Sequence, residues 1–137
     1  MKKILFIEDE AVMQKAVSEF LGAKGYEVIS ALDGELGINM AKNYSPDLIL
    51  LDIVLPKKSG FDVLRDLKND EKTKSVPVIV LTNLSQMDDV SKMMDMGITT
   101  YLVKSDQSLQ DILRVIDQTL GVSRGEDAGR QDDQSAK

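Results

Sequence analysis

The chain contains no cysteine and no histidine. Without cysteine there is no disulfide framework and no thiolate metal site. Without histidine there is no imidazole base, and the chain cannot carry phosphate on a histidine of its own. Basic clusters are missing too: no internal run of Lys and Arg exceeds Lys57-Lys58, and the formal net charge is −6. Phosphate backbones and anionic bilayers are held by basic patches, so no direct nucleic-acid partner and no membrane insertion are expected. The only early apolar run, Ile4 to Ile7, meets acid at once. It offers nothing that a signal peptidase could use, and the cytoplasm is the default location.

What the chain does have is alternation. Its 137 residues, 42% hydrophobic and 29% charged, suffice for one domain with a substantial core. Apolar runs at about residues 3 to 7, 26 to 31, 47 to 52, 77 to 82 and 100 to 104 are each followed by a segment of helical spacing. In the first such segment Met13, Ala16, Val17, Phe20 and Leu21 share an arc, and Gly25 marks its end. The second, about 34 to 44, is weakened by Gly34 and Gly37. Phe61, Leu64 and Leu67 mark the third; Met87, Val90, Met93 and Met94 the fourth; Leu109, Ile112, Leu113, Ile116 and Leu120 the fifth. Five βα units predict an α/β, doubly wound, flavodoxin-like fold, with a five-stranded parallel sheet in the order 2-1-3-4-5. The pattern stops near residue 122, and the polar stretch 123–137 reads as a disordered tail with no second folded domain.

Polar residues stand where the strands give out: Glu8 and Asp9 after KKILFI, Asp52 after PDLILL, Thr82 after VPVIVL and Lys104 after TTYLV. In a parallel sheet these ends gather at one edge, where open α/β sheets bind ligands. A single acid there, such as Glu10 or Asp106, reads as a helix cap. Glu8, Asp9 and Asp52 together would repel one another unless a cation or lysine sat among them. An oxygen cage of that kind suits Mg²⁺ better than zinc. With Lys104 for the anion and Thr82 as a hydroxyl, the set suits phosphoryl transfer to a carboxylate, and the central Asp52 is the natural nucleophile.

Over about residues 2 to 122 the chain resembles the receiver domain of two-component response regulators. The resemblance rests on Ile7-Glu8-Asp9-Glu10, Leu50-Leu51-Asp52-Ile53-Val54-Leu55-Pro56 with Ser59-Gly60, Val80-Leu81-Thr82-Asn83, and Thr100-Tyr101-Leu102-Val103-Lys104. It implies that Glu8, Asp9, Asp52 and the backbone carbonyl of Val54 hold Mg²⁺, and that Asp52 accepts a phosphoryl group from a histidine kinase or histidine phosphotransfer protein. It further implies that Thr82 and Tyr101 are a switch pair, that Lys104 pairs with the phosphoryl group, and that the Asn83 backbone helps to bind it. The chain would then be no enzyme toward other molecules. It would catalyse its own phosphorylation and, with apolar Val54 and Leu84 flanking the site, only slow dephosphorylation. Such a receiver would stand alone in a two-component system or phosphorelay, as a monomer or a phosphorylation-dependent dimer formed through the fourth helix, fifth strand and fifth helix, and act on a downstream protein target.

Three positions depart from the family pattern: Ser105 follows Lys104 where proline is common, Asn83 replaces a small residue, and Glu8-Asp9 stands for Asp-Asp. The alternative is a receiver-fold interaction module that works without phosphorylation. It would be marked by loss of Asp52, Lys104 or the acidic pair, and all of them are present. The methionines near the fourth helix read as core filling or an adaptable docking face. Val12 and Ala16 read as core margin or kinase contacts.

Overall fold

The structure, a computed structural model, describes residues 1–83 and 87–124, without the side chains of 87–89. Leu84, the Met87 side chain and residues 125–137 of the expected tail lie outside that set. The elements run β1 (Lys3–Ile7), α1 (Ala11–Ala23), β2 (Glu27–Ala31), α2 (Gly34–Tyr44), β3 (Leu48–Leu51), α3 (Gly60–Asn69), β4 (Val78–Thr82), α4 (Met87–Asp95), β5 (Thr100–Val103) and α5 (Leu109–Leu120). The five strands are parallel in the order β2-β1-β3-β4-β5, as the alternation of periods predicts.

Alternation of side chains along each strand divides the core in two. In β1, Ile4 and Phe6 join Leu48, Leu50, Ile79 and Leu81 against α1 and α5. Leu5 and Ile7 join Ile49, Leu51, Val78 and Val80 against α2, α3 and α4. A strand covered on both faces has to be apolar throughout, which is why Leu48–Leu51 is an unbroken run with every residue buried. The edge strand β5 is only half-buried.

The glycines of α2 are fitted to their neighbours. A side chain at Gly37 would run into Ile7, and one at Gly34 into Val63 and the Lys58 carbonyl. They cost helix propensity and let α2 lie close to β1 and α3. In α1 the expected arc is shifted, with Ala16 exposed and Gln14 buried beside Val17 and Leu21. Gln14 Nε2 donates to the carbonyls of Phe6 (2.9 Å), Glu8 (3.1 Å) and Ala31 (3.0 Å). It thereby adds a donor to carbonyls at the ends of β1 and β2 that α1 covers, of which Ala31's also accepts the Glu8 N–H (3.0 Å). In α4 Met93 is buried in the core, whereas Met94 is exposed because it has turned past the packed face.

Two cap assignments are corrected. Glu10 occupies the N-cap position of α1, but its side chain makes no capping bond. Asp106 belongs to a 3₁₀ turn, Lys104–Asp106, and Ser108 caps α5 in a reciprocal capping box with Asp111. Beyond α5 the chain folds back: Arg124 donates to Asp117 Oδ2 (2.6 Å) and to the Lys24 carbonyl (2.9 Å). Among the described residues no helix is long and apolar enough to cross a membrane.

Candidate functional site

Strand register decides which side chains meet. β1 and β3 pair through Ile7 and Leu51, so the chain leaves both strands at the same height, and Glu8 and Asp52 emerge side by side. The Asp52 N–H donates to the Ile7 carbonyl (3.0 Å), which extends the ladder by one residue. β4 and β5 end together at Thr82 and Val103, which places Lys104 next along the same edge. Glu8, Asp9, Glu10, Asp52, Val54, Asn83 and Lys104 line an open cleft of about 410 Å³.

Within this cleft Glu8 and Asp52 are buried, at 0% and 3% exposure, while Asp9 faces solvent. One carboxylate oxygen from each of the three lies within 4.8 Å of the others. The Lys104 ammonium sits 2.7 Å from Glu8 Oε1 and 3.1 Å from Asp52 Oδ2, with Glu10 Oε1 at 3.9 Å. It makes an aligned hydrogen bond to Asp52. Its contact with Glu8 Oε1 is an ion pair off the hydrogen-bond line, for that buried oxygen has no hydrogen-bond partner. The other Glu8 oxygen accepts the Glu10 N–H (3.0 Å), and Asp52 Oδ1 accepts the Val54 N–H (3.1 Å).

Four carboxylates around one ammonium leave the cleft strongly negative. Burial pushes Glu8 above the ordinary carboxylate range, against the pull of Lys104 and of the Glu10 amide. Burial also draws the Lys104 ammonium down, but Glu8 and Asp52 more than offset this and raise it above the usual lysine value. Lys104 is therefore a fixed positive charge. It neutralises only part of the cluster, and an all-oxygen donor set whose buried Glu8 Oε1 meets only the Lys104 ammonium fits a hard divalent cation such as Mg²⁺. Val54, 58% exposed at the rim, brings its peptide to the same cleft.

Thr82 is wholly buried at the end of β4. Tyr101, paired with Val80 in the β4–β5 register, is half-buried against the cluster beneath α2, α3 and α4. Thr82 and Tyr101 are thus diagonal neighbours on adjacent strands, close enough to influence one another. Under Asp52, Gly60 lets the start of α3 approach the turn: a side chain there would strike Ile53 Cα and the Asp52 carbonyl. The Gly60 N–H instead donates to the Ile53 carbonyl (2.8 Å).

These strand ends and their register match a known pattern, since the sequence model of the response regulator receiver domain covers residues 4–117. The chain belongs to the response regulator receiver family. Among curated proteins it is 42% identical over 104 residues to the DNA-binding dual master transcriptional regulator RpaA of Synechocystis sp., covering 76% of this chain and 43% of that protein. It is 34% identical over 103 residues to the polar-differentiation response regulator DivK of Brucella ovis, covering 75% and 84%. The chain spans about half the length of the first curated relatives it matches. Of solved structures, the chemotaxis protein CheY4 of Vibrio cholerae superposes with a TM-score of 0.81 at 26% identity, covering 86% of this chain and 98% of that one. The receiver domain of a Pseudomonas aeruginosa sensor histidine kinase, whose active-site cleft holds a magnesium ion, gives 0.80 at 28% identity, covering 88% and 98%.

As a receiver in the two-component class the chain is a signalling module rather than a conventional enzyme. Its structure brings Glu8, Asp9, Asp52, Val54, Asn83 and Lys104 into one cleft and puts Thr82 and Tyr101 behind it on β4 and β5. Sequence reasoning did not anticipate Gln14, whose signal was a polar residue inside the apolar arc of α1. It also missed the nearness of Glu10 to Lys104, and the engagement of the Asn83 side chain, which accepts the Ser105 N–H (3.2 Å). Ser105 follows Lys104 through the 3₁₀ turn, and no cis peptide occurs among the described residues.

Proposed function

We propose that this receiver accepts a phosphoryl group from a phosphohistidine donor onto Asp52, in a Mg²⁺-dependent reaction, and so switches its protein contacts. One observation carries the reading: a half-buried ammonium held between Asp52 and Glu8 inside a cluster of three carboxylates. A cluster so arranged is short of positive charge and offers an anion both a cation and a nucleophile. An Asp52 oxygen attacks phosphorus in line, an O–P bond forms as the donor's N–P bond breaks, and the departing imidazole nitrogen takes a proton. Lys104 moves from carboxylate to phosphoryl oxygen, and the Asn83 N–H is a further donor. Bound by Glu8, Asp9, Asp52 and the Val54 carbonyl, Mg²⁺ would supply the remaining charge neutralisation.

Thr82 closes on the phosphoryl group, and Tyr101, its neighbour across the strands, follows inward. The conformational equilibrium shifts only by the difference in phosphoryl affinity between the two arrangements. Val54 carries no amide or acid to orient a water for hydrolysis, which favours a long-lived phosphoaspartate. A histidine kinase or histidine phosphotransfer protein is the donor in this proposal, an unnamed protein is the target, and the cytoplasm is the setting. Interaction without phosphorylation is disfavoured, for Asp52, Lys104 and the acidic pair are all retained.

Acetyl phosphate with Mg²⁺, followed by borohydride trapping and mass spectrometry, tests the reading. One adduct at Asp52 is expected, absent in Asp52→Asn and in excess chelator. Full labelling of Asp52→Asn at another residue would overturn it.

A further inference from the structure

The β4–β5 ladder ends at the pair Thr82 and Val103. One step beyond it the strands are still tied, because Asn83 Oδ1 accepts the Ser105 N–H at 3.2 Å across 22 residues of sequence. Each partner is the immediate successor of a site residue: Asn83 follows Thr82, and Ser105 follows Lys104. The bond requires an N–H at position 105, and a backbone N–H can be met only by the amide oxygen, which fixes how the Asn83 amide is turned. Lys104, whose carbonyl accepts the Gln107 N–H in the 3₁₀ turn, is thereby held from both sides.

We propose that Asn83 is a positioning residue whose side chain latches the loop after Lys104 to the end of β4, so that the ammonium stays aimed at the anion position beside Asp52. This rests on the phosphoacceptor reading above. The latch sets the affinity of the site for a phosphoryl-like anion without contributing to the binding of Mg²⁺, whose proposed carboxylate ligands directly follow β1 and β3. It also couples movement at Thr82 to the Lys104 loop, since the bridge joins the residues that directly follow them.

The experiment uses the full chain, beryllofluoride as the phosphoryl mimic, and two single variants with their double. Asn83→Ala removes the acceptor, and Ser105→Pro removes the donor. Asn83→Ala is expected to lower beryllofluoride affinity by about two- to tenfold, the worth of one neutral hydrogen bond, and Ser105→Pro by at least as much, because proline also restrains the Lys104 backbone in its 3₁₀ turn. The double variant should be no weaker than the weaker single, because both changes break the same bond. Half-saturation by Mg²⁺, followed by NMR titration, should stay within about twofold of the wild type, whereas a general defect of the site would weaken both ligands. In Mg²⁺-free protein the Ser105 amide resonance should move upfield in Asn83→Ala, which reads the bond apart from any anion chemistry. Wild-type affinity in Asn83→Ala, multiplied effects in the double, or a parallel loss of Mg²⁺ affinity would overturn the latch. Failure of the wild type itself to bind beryllofluoride would instead count against the phosphoacceptor reading.

Discussion

Asp9 offers the cleanest test of the electrostatics. It is exposed, has no cation within ion-pair distance among the described residues, and sits within 4.8 Å of Glu8 and Asp52 oxygens. Two unit charges at that separation repel by about 0.9 kcal/mol in water and by ~3.5 kcal/mol at an effective dielectric of 20. Because Asp9 faces solvent, the lower figure governs, and relief from two neighbours comes to about 1–2 kcal/mol. Asp9→Asn should therefore stabilise the metal-free protein by that amount and raise its melting temperature by about 4–8 °C. Mg²⁺ reverses the order. At a free concentration a hundredfold above Kd, binding stabilises the wild type by about 2.7 kcal/mol, and the variant, lacking one proposed ligand, should gain far less. Thermal melts in chelator and in excess Mg²⁺ should thus cross, with the variant ahead in the first and the wild type in the second. A variant less stable than the wild type in chelator would refute the repulsion, and equal gains from Mg²⁺ in both proteins would remove Asp9 from the metal site.

Three further outcomes follow from the packing. Gln14→Leu keeps the volume but takes the side-chain donor from three buried carbonyls, of which Ala31's keeps the Glu8 N–H, and urea unfolding should show a loss of about 1–3 kcal/mol; no loss would mean that the remaining partners suffice. Gly60→Ala drives a methyl group into backbone that cannot rotate away, so it should cost toward the upper end of about 1–3 kcal/mol and slow labelling of Asp52, while Gly22→Ala, with open space around it, should do neither. Tyr26, buried and donating to Asp117, is raised above its ordinary value of 10.0 by burial and then by that bond. The folded state thus favours the neutral phenol, and the linked stability is intact below pH 10 and lost as pH climbs above it. The stability advantage over Tyr26→Phe should shrink above pH 10, and a constant difference across that range would contradict the assignment.

Much of the fold was legible in the chain because burial on two faces demands uninterrupted apolar strands, and KILFI, LILL and VIVLT show that demand directly. The polar residues that end those strands were legible for the same reason, since each interrupts a run that has no other cause to stop. Helix faces were read less well where a polar side chain is buried to serve the backbone. Gln14 looks like a fault in the arc of α1 until the carbonyls of Phe6, Glu8 and Ala31 are seen converging on it. Likewise Gly34 and Gly37 look like weak points of α2, and only the nearness of Val63 and Ile7 gives them a reason.

By itself, then, the order of residues determined the alternation of elements, the parallel sheet and the list of groups delivered to its C-terminal edge. These are local matters of periodicity and of where an apolar run ends. Tertiary structure alone decided the distances: that one ammonium lies between Glu8 and Asp52 and leaves Asp9 uncompensated, that Thr82 and Tyr101 fall diagonally across β4 and β5, and that Asn83 reaches Ser105. Such pairs lie 19 to 96 positions apart in sequence, and they depend on strand register and on the paths of loops. No local pattern encodes that register; it follows from packing both sheet faces at once, which is a property of the whole core.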